Sequence, residues 1–349
     1  MRAAVYHGRE DLRLEQVEEP EPGPGQVKIA VAFNGLCGSD LHEYYYGPLG
    51  IPTSPHPLTG GMMPQIMGHE FGGRIAAIGP GVDDVAVGDL VAVNPMHVCG
   101  SCVYCLRGDT NLCVLAAFHG LMSHGGGISD YTVVDRRMVH VMPAGLTARH
   151  AAVVEPMAVA LRSARRAEVE AGQTVVVFGA GPIGLGAYFG CLWLGAAPIM
   201  VEPSPARRAI LTDLGAPTVL DPTTDDVASA VLDLTGGIGA HATIDAAATP
   251  ATFASAFATT RRGGVISMVG IAHEPLQVDP IALFQTEITV RASNAYAEDF
   301  PLVIDGMAEG AYPLDGWVST IDFDDVVEGG FDVLHSGKAM KILVTLGGD

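Results

Sequence analysis

The chain has 349 residues, 48% hydrophobic and 17% charged, enough for about two domains with cores of their own; a disulfide-stapled miniprotein and wholesale disorder are both excluded. Thirty-nine acidic against 19 basic side chains leave a formal net charge of −20. That field repels phosphate backbones and anionic lipid surfaces, so neither nucleic acid nor a membrane is expected as a partner.

Residues 1–10 contain no apolar run of the length a secretory signal needs, and a cytoplasmic protein is expected. Short Val-rich segments, such as 72–78 and 89–93, alternate with Gly, Pro and Asp turns through the first 150 residues and predict an irregular β domain. Residues 44–68 carry no charge but five Pro and five Gly, a density that neither helix nor ladder tolerates, so a long loop is expected there. Residues 171–201 run 31 positions without Asp, Glu, Lys or Arg. Gly179, Gly181, Pro182, Gly184 and Pro198 break that run into a strand, a turn, an apolar helix and a second strand, which is a buried βαβ unit and not a membrane span. Strand and helix signals then alternate as far as residue 269, which predicts a parallel sheet with helices on both faces. Residues 151–291 carry a net −5 and the flanking segments −15, so the acidity belongs mainly to the flanks.

Gly179-Ala-Gly181-Pro182-Ile183-Gly184 follows the β-branched run 174–178, opens a helix, and is followed 18 residues after Gly184 by Glu202. In a dinucleotide-binding turn Gly179 permits the tight bend, Gly181 lets backbone approach a pyrophosphate at the helix N-terminus, Gly184 permits close packing, and Glu202 accepts from a ribose diol. Glu202 would repel a 2′-phosphate, whereas Arg207 and Arg208 could attract one; NAD is favoured over NADP.

Cys99, Cys102, Cys105 and Cys113 place four thiols in fifteen residues, the spacing of a closed, structural zinc site. Cys191, in the apolar helix, reads as a small core residue. Cys37-Gly-Ser39-Asp-Leu-His42, Gly68-His69-Glu70 and Glu155-Pro156 supply a thiolate, an imidazole and two carboxylates, the ingredients of an open catalytic zinc site. Taken singly, each also reads as structure: Cys37 as a core thiol, His69 as a satisfied core histidine, Glu155 as a helix-start carboxylate before a Pro at the first helical position.

Together, in this order and along the whole chain, these elements and the terminal stretch 337–344 resemble the zinc-dependent medium-chain dehydrogenase/reductase family. The resemblance implies an α/β architecture: a GroES-like irregular β catalytic domain from residues 1–150 plus 292–349, with a Rossmann doubly wound parallel-sheet domain, 151–291, inserted. It implies two zinc ions and NAD. Cys37 and His69 would hold the catalytic zinc with Glu70 or Glu155, members of the family differing in which carboxylate binds, while the four-cysteine lobe holds the structural zinc. Ser39 would take the substrate proton and His42, with the nicotinamide ribose, would pass it outward; Glu70 joins them among the catalytic candidates. Glu155 stands where alcohol dehydrogenases proper have a second cysteine ligand, which points to the branch acting on polyols, butanediol and threonine.

The expected reaction is hydride transfer between NAD and a small secondary alcohol or vicinal diol, such as (R,R)-2,3-butanediol to acetoin, with acetoin or diacetyl reduced in reverse. Sorbitol, another polyol and threonine are the alternative substrates. A catalytically silent zinc- and NAD-binding redox sensor or structural subunit is the rival of another class. A homodimer or homotetramer is expected.

Overall fold

The computed structural model describes residues 1–347. The chain divides into two compact units, Met1–Glu155 with Trp317–Asp349, and Pro156–Gly316.

In the first unit the β-branched segments pair antiparallel, as suits a sheet with unlike faces, except that Val318–Asp322 runs parallel to Lys341–Thr345. A seven-stranded sheet runs Val139–Val141, Leu90–Val93, Glu70–Ile78, Gln26–Gly35, Lys341–Thr345, Val318–Asp322, with Tyr131–Asp135 also paired to Gln26–Gly35. The C-terminal strand therefore joins a sheet begun near the N-terminus, with Leu343 opposite Gly35. A second, three-stranded sheet is built on Arg2–Gly8. Tyr6, Leu36, Ile51, Met67, Leu121, Phe323 and Phe331 form one core cluster, which draws both ends of the chain together.

Within the charge-free stretch, the helix Gly38–Tyr46 ends at Gly47, and apart from the two-residue strand Gln65–Ile66 the chain to Gly68 is loop and turn. His119 lies fully buried, with Nε2 2.6 Å from Thr132 Oγ1 and Nδ1 3.0 Å from Ser123 Oγ. Burial, helped by the nearby His97, pushes its pKa down to about 3. The unfolded chain takes up a proton near pH 6.5 that the folded chain refuses, so stability falls as the pH drops from about 6.5 towards 3. We expect His119 to contribute about 1.4 kcal/mol of lost stability per pH unit in that window. Urea unfolding at pH 7, 6 and 5 should show His119→Gln with that part of the slope removed.

The second unit is a six-stranded parallel sheet in the order Val219–Leu220, Ala197–Val201, Thr174–Phe178, Ala240–Asp245, Thr260–Met268, Thr289–Ala292. The uncharged run resolves into the strand Thr174–Phe178, the helix Pro182–Trp193 and the strand Ala197–Val201. Among the described residues no helix is long and apolar enough to cross a membrane. Cys191 is fully buried, its thiol pushed up to about 12 by burial.

Two expectations need correction. Residues 292–316, assigned from sequence to the catalytic domain, fall in the second unit. The buried carboxylate of Asp299 takes Arg165 Nη1 at 2.5 Å and Arg162 Nη1 at 3.4 Å, and Trp193 Nε1 donates to Glu309, so the helix Asp299–Ala308 and its exit are tied to this unit. Pro156 does not open a helix but lies inside Ala148–Arg166, where it removes one backbone donor. The boundary between the units falls at that residue.

Candidate active site

Cys37 caps the helix Gly38–Tyr46: its backbone N–H donates to Asp40 Oδ2 at 3.0 Å, which fixes where the helix starts. The same helix carries Ser39, Asp40 and His42. His69 and Glu70 enter from the start of the strand Glu70–Ile78, just after Gly68, whose positive φ of 102° only glycine adopts without strain. One donor atom each from Cys37, His69 and Glu70 lie within 4.8 Å of one another. His69 Nε2 stands 3.1 Å from Ser39 Oγ, and Nδ1 stands 3.3 Å from Asp40 Oδ1.

Burial alone would pull the pKa of His69 down, but Asp40 and Cys37 together hold it well above the usual imidazole value. These groups thus favour positive charge at one buried spot. A thiolate, an imidazole with its far nitrogen facing a carboxylate, and a carboxylate form the donor set of an open zinc site, so the residues fit a zinc ion. His42 sits one helical turn beyond Ser39, partly exposed. Glu155 is buried on the helix Ala148–Arg166 and is not one of the three clustered donors, though its charge acts on Lys341.

Lys341 is the residue that sequence reasoning missed. It is 1% exposed, and Nζ pairs with Glu70 Oε2 while donating to Leu36 O at 2.9 Å. Burial would lower its pKa, but Glu70 and Cys37, with Glu155 adding, raise it above the usual lysine value. The available signal was slight: one of only three lysines opening an apolar strand, Lys341–Thr345.

The four-cysteine lobe is assembled as its spacing predicts. Its four Sγ atoms lie within 4.8 Å of one another, with Cys102–Cys105 at 3.5 Å and Cys99–Cys105 at 3.9 Å. A tetrahedron of thiolates at the zinc–sulfur bond length has edges of about 3.8 Å, so the cluster fits a closed zinc site. Backbone N–H groups of Ser101 and Cys102 pull the Cys99 thiol down to about 6.

In the second unit, Gly179 has φ +90° and Gly181 is the N-cap of Pro182–Trp193. A Cβ at Gly184 would collide with Gly179 O, whereas one at Gly181 would meet nothing nearer than Arg207 Nη1 at 3.9 Å. The turn is therefore closed on the packing side and open where backbone must approach a phosphate. Pro182 and Ile183 form the first helical positions, their N-terminus suited to an anion. Glu202 is 3% exposed and accepts from Ala180 N at 2.6 Å and Ser204 N at 2.8 Å, beside the turn. Arg207 Nη1 lies 4.0 Å from Glu202 Oε2. Arg208 is committed elsewhere, to Asp221 at 2.7 Å and to the carbonyls of Glu202 and Pro203.

Two family models match the chain, an alcohol dehydrogenase GroES-like domain over residues 23–144 and a zinc-binding dehydrogenase over residues 182–309. An (R,R)-butanediol dehydrogenase of Bacillus subtilis is 39% identical over 99% of both chains. The chain belongs to the zinc-dependent medium-chain dehydrogenase/reductase family. Another relative within it, an (R,R)-butanediol dehydrogenase of Neisseria gonorrhoeae, is 34% identical over 99% of both chains. The crystal structure of 2R,3R-butanediol dehydrogenase from Bacillus subtilis superposes with a TM-score of 0.93 at 38% identity, covering 99% of each chain. The GroES-like and Rossmann-type architecture expected from sequence is thereby established, and with it the oxidoreductase class of this family member.

Proposed function

We propose that the protein is an NAD-dependent zinc alcohol dehydrogenase that interconverts (R,R)-2,3-butanediol and acetoin and reduces acetoin or diacetyl in reverse. The observation that carries this reading is the Cys37–His69–Glu70 donor group with Ser39 Oγ 3.1 Å from His69 Nε2, in a chain 39% identical to a butanediol dehydrogenase. Zinc held there supplies Lewis acidity to a substrate hydroxyl, and bound NAD supplies the hydride acceptor. Ser39 takes the hydroxyl proton, and His42, one turn farther along the same helix, passes it towards solvent. Asp40 holds the His69 ring through Nδ1, and Lys341 fixes Glu70. In this reading Cys37 and His69 are ligands in company with Glu70 or Glu155, and the lobe of Cys99, Cys102, Cys105 and Cys113 holds a second, structural zinc. The flanks' net charge of −15 suits a neutral diol better than a free anion.

NADH formation from each 2,3-butanediol stereoisomer, from sorbitol and from L-threonine tests this. Rates confined to threonine or sorbitol contradict the diol assignment, and two zinc ions per chain with no turnover of any alcohol would favour a silent binding protein.

NAD is the cofactor of this reading, held by Gly179, Gly181, Pro182, Ile183, Gly184 and Glu202. Loss of a hydrogen bond to a charged acceptor is worth about 1.5–3 kcal/mol, so Glu202→Gln should lower kcat/KM for NAD by about tenfold or more and shift preference towards NADP through Arg207. Equal use of NAD by the variant and the parent would count against Glu202 as the ribose acceptor.

A cytoplasmic homo-oligomer, dimer or tetramer, completes the proposal. The strand Thr289–Ala292 ends its sheet, and Ile271, Ile281 and Phe284, shortly before it in sequence, are 72%, 67% and 84% exposed. Light scattering after size exclusion measures the oligomeric state.

A further inference from the structure

The helix Gly38–Tyr46 buries two acidic side chains one turn apart, and they point to different tasks. Asp40 serves Cys37 and His69, as above. Glu43 is 4% exposed, and its carboxylate accepts from three consecutive backbone N–H groups: Leu49 at 2.9 Å, Gly50, and Ile51 at 3.2 Å. A buried carboxylate must find donors or lose its charge, and here the donors are a loop folded round it. The wrapping is close: a Cβ on Gly47 would run into Glu43 O and Tyr6 Oη, and one on Gly50 would sit 3.0 Å from Glu43 Oε1 and 3.4 Å from Met122 Cε. Tyr6 Oη donates to Glu43 O at 2.9 Å, which anchors the same turn from the N-terminal strand.

From this anchor the contacts lead to the metal-binding group. Ile51, 2% exposed, is in the core cluster with Met67 and Leu121, and Phe118 and Met122 pack against that cluster. The Phe118 ring stands edge-on to His69, with centroids 6.4 Å apart. The charge-free loop is therefore held against an apolar wall that adjoins His69, and Glu43 is the polar group that fixes its first turn.

Resting on the diol reading above, we propose that Glu43 is a positioning residue for substrate specificity: its carboxylate holds Leu49, Gly50 and Ile51 so that the loop closes an apolar wall sized for the methyl-bearing carbons of a short diol. Glu43 touches no reacting atom in this proposal; it sets KM and leaves the chemical step to Ser39, His42 and the ligands.

The test uses the full-length zinc-loaded enzyme with Glu43→Ala, Glu43→Gln and Gly50→Ala, the last crowding the loop off Glu43 without altering the carboxylate. With (R,R)-2,3-butanediol as substrate, loss of these bonds should raise KM by about tenfold in Glu43→Ala and less in Glu43→Gln, which keeps one acceptor oxygen. Gly50→Ala should shift KM in the same direction. Throughout, kcat should stay within about threefold, and zinc content and the KM for NAD should be unchanged. Parental KM values in all three variants, or a parallel fall in kcat and zinc content, overturn the proposal. If Glu43→Ala does not fold, Glu43→Gln and Gly50→Ala decide it by the same criteria. Failure of the diol reading would show separately, in the parent enzyme: if the parent oxidises sorbitol and not the diol, the same KM ratios measured on sorbitol still support or overturn the role of Glu43.

Discussion

Replacing His69 by Ala should abolish turnover, with kcat down by at least about a thousandfold, because the several kcal/mol of charge stabilisation that a zinc ion supplies has no substitute in the side chains around it. Those side chains are Cys37 and Glu70 within 4.8 Å and Ser39 Oγ 3.1 Å from Nε2, and none of them is an acid strong enough to polarise an alcohol unaided. Metal analysis should show one zinc ion lost per chain and the other retained, since the cysteine lobe shares no ligand with this group. Asp40→Asn should show the graded form of the effect. It keeps an acceptor for only one of His69 Nδ1 and Cys37 N, turns an amide NH2 towards the other and removes the charge, and loss of such an outer partner costs about 10–100-fold in metal affinity or activity. A His69→Ala enzyme that keeps its turnover, or that keeps both zinc ions, would place the reaction centre elsewhere.

Replacing Lys341 by Met should destabilise the first unit by about 3–5 kcal/mol, the usual result of removing one partner from a buried ion pair. Lys341 and Glu70 have side chains 2% exposed, and Lys341 Nζ also satisfies Leu36 O, so Met leaves a carboxylate and a carbonyl without their donor. Glu70→Gln in the Lys341→Met background should recover much of the loss, because the stranded charge is gone. That non-additivity separates the ion pair from a simple packing defect. The double-mutant cycle is best read by urea unfolding of the metal-free protein, in which no ion can take over the freed carboxylate. Fully additive losses would mean that Glu70 and Lys341 do not act as a pair.

Both expectations concern residues whose legibility in the sequence differs greatly. Cys37, His69 and Glu70 offer donor types of metal chemistry but each reads singly as structure, and only the family resemblance of the whole pattern marked them together with Ser39 and His42; the four lobe cysteines could be picked out because fifteen consecutive residues can bring four thiols together without help from the rest of the fold. The Gly179–Gly184 turn is equally local: strand, bend and helix start are consecutive, so backbone sterics alone specify it. Lys341 was different. It lies 271 residues from Glu70, and nothing in the stretch 337–344 says which side chain it will meet. The boundary at Gly316 was hidden in the same way, since residues 292–316 join the second unit through pairs such as Asp299 with Arg165, 134 residues apart. Pro156 misled for the opposite reason: a local rule favours Pro at a helix start, and tertiary packing overrode it inside Ala148–Arg166.

The sequence by itself determined the chemistry available to this protein: the donor types, the glycine turn between strand and helix, the four closely spaced cysteines and the alternation that makes a parallel sheet. The turn and the cysteine lobe depend on residues close enough in the chain for covalent geometry to bring them together, and the alternation of strand and helix is itself a local pattern. Only the tertiary structure decided how the buried charges are matched, with Asp40 facing His69, Glu70 held by Lys341, Glu43 holding the loop, and Glu155 outside the three clustered donors. A buried charge is tolerated only where strands distant in sequence deliver its partner, and no pattern of hydrophobicity or spacing records that meeting.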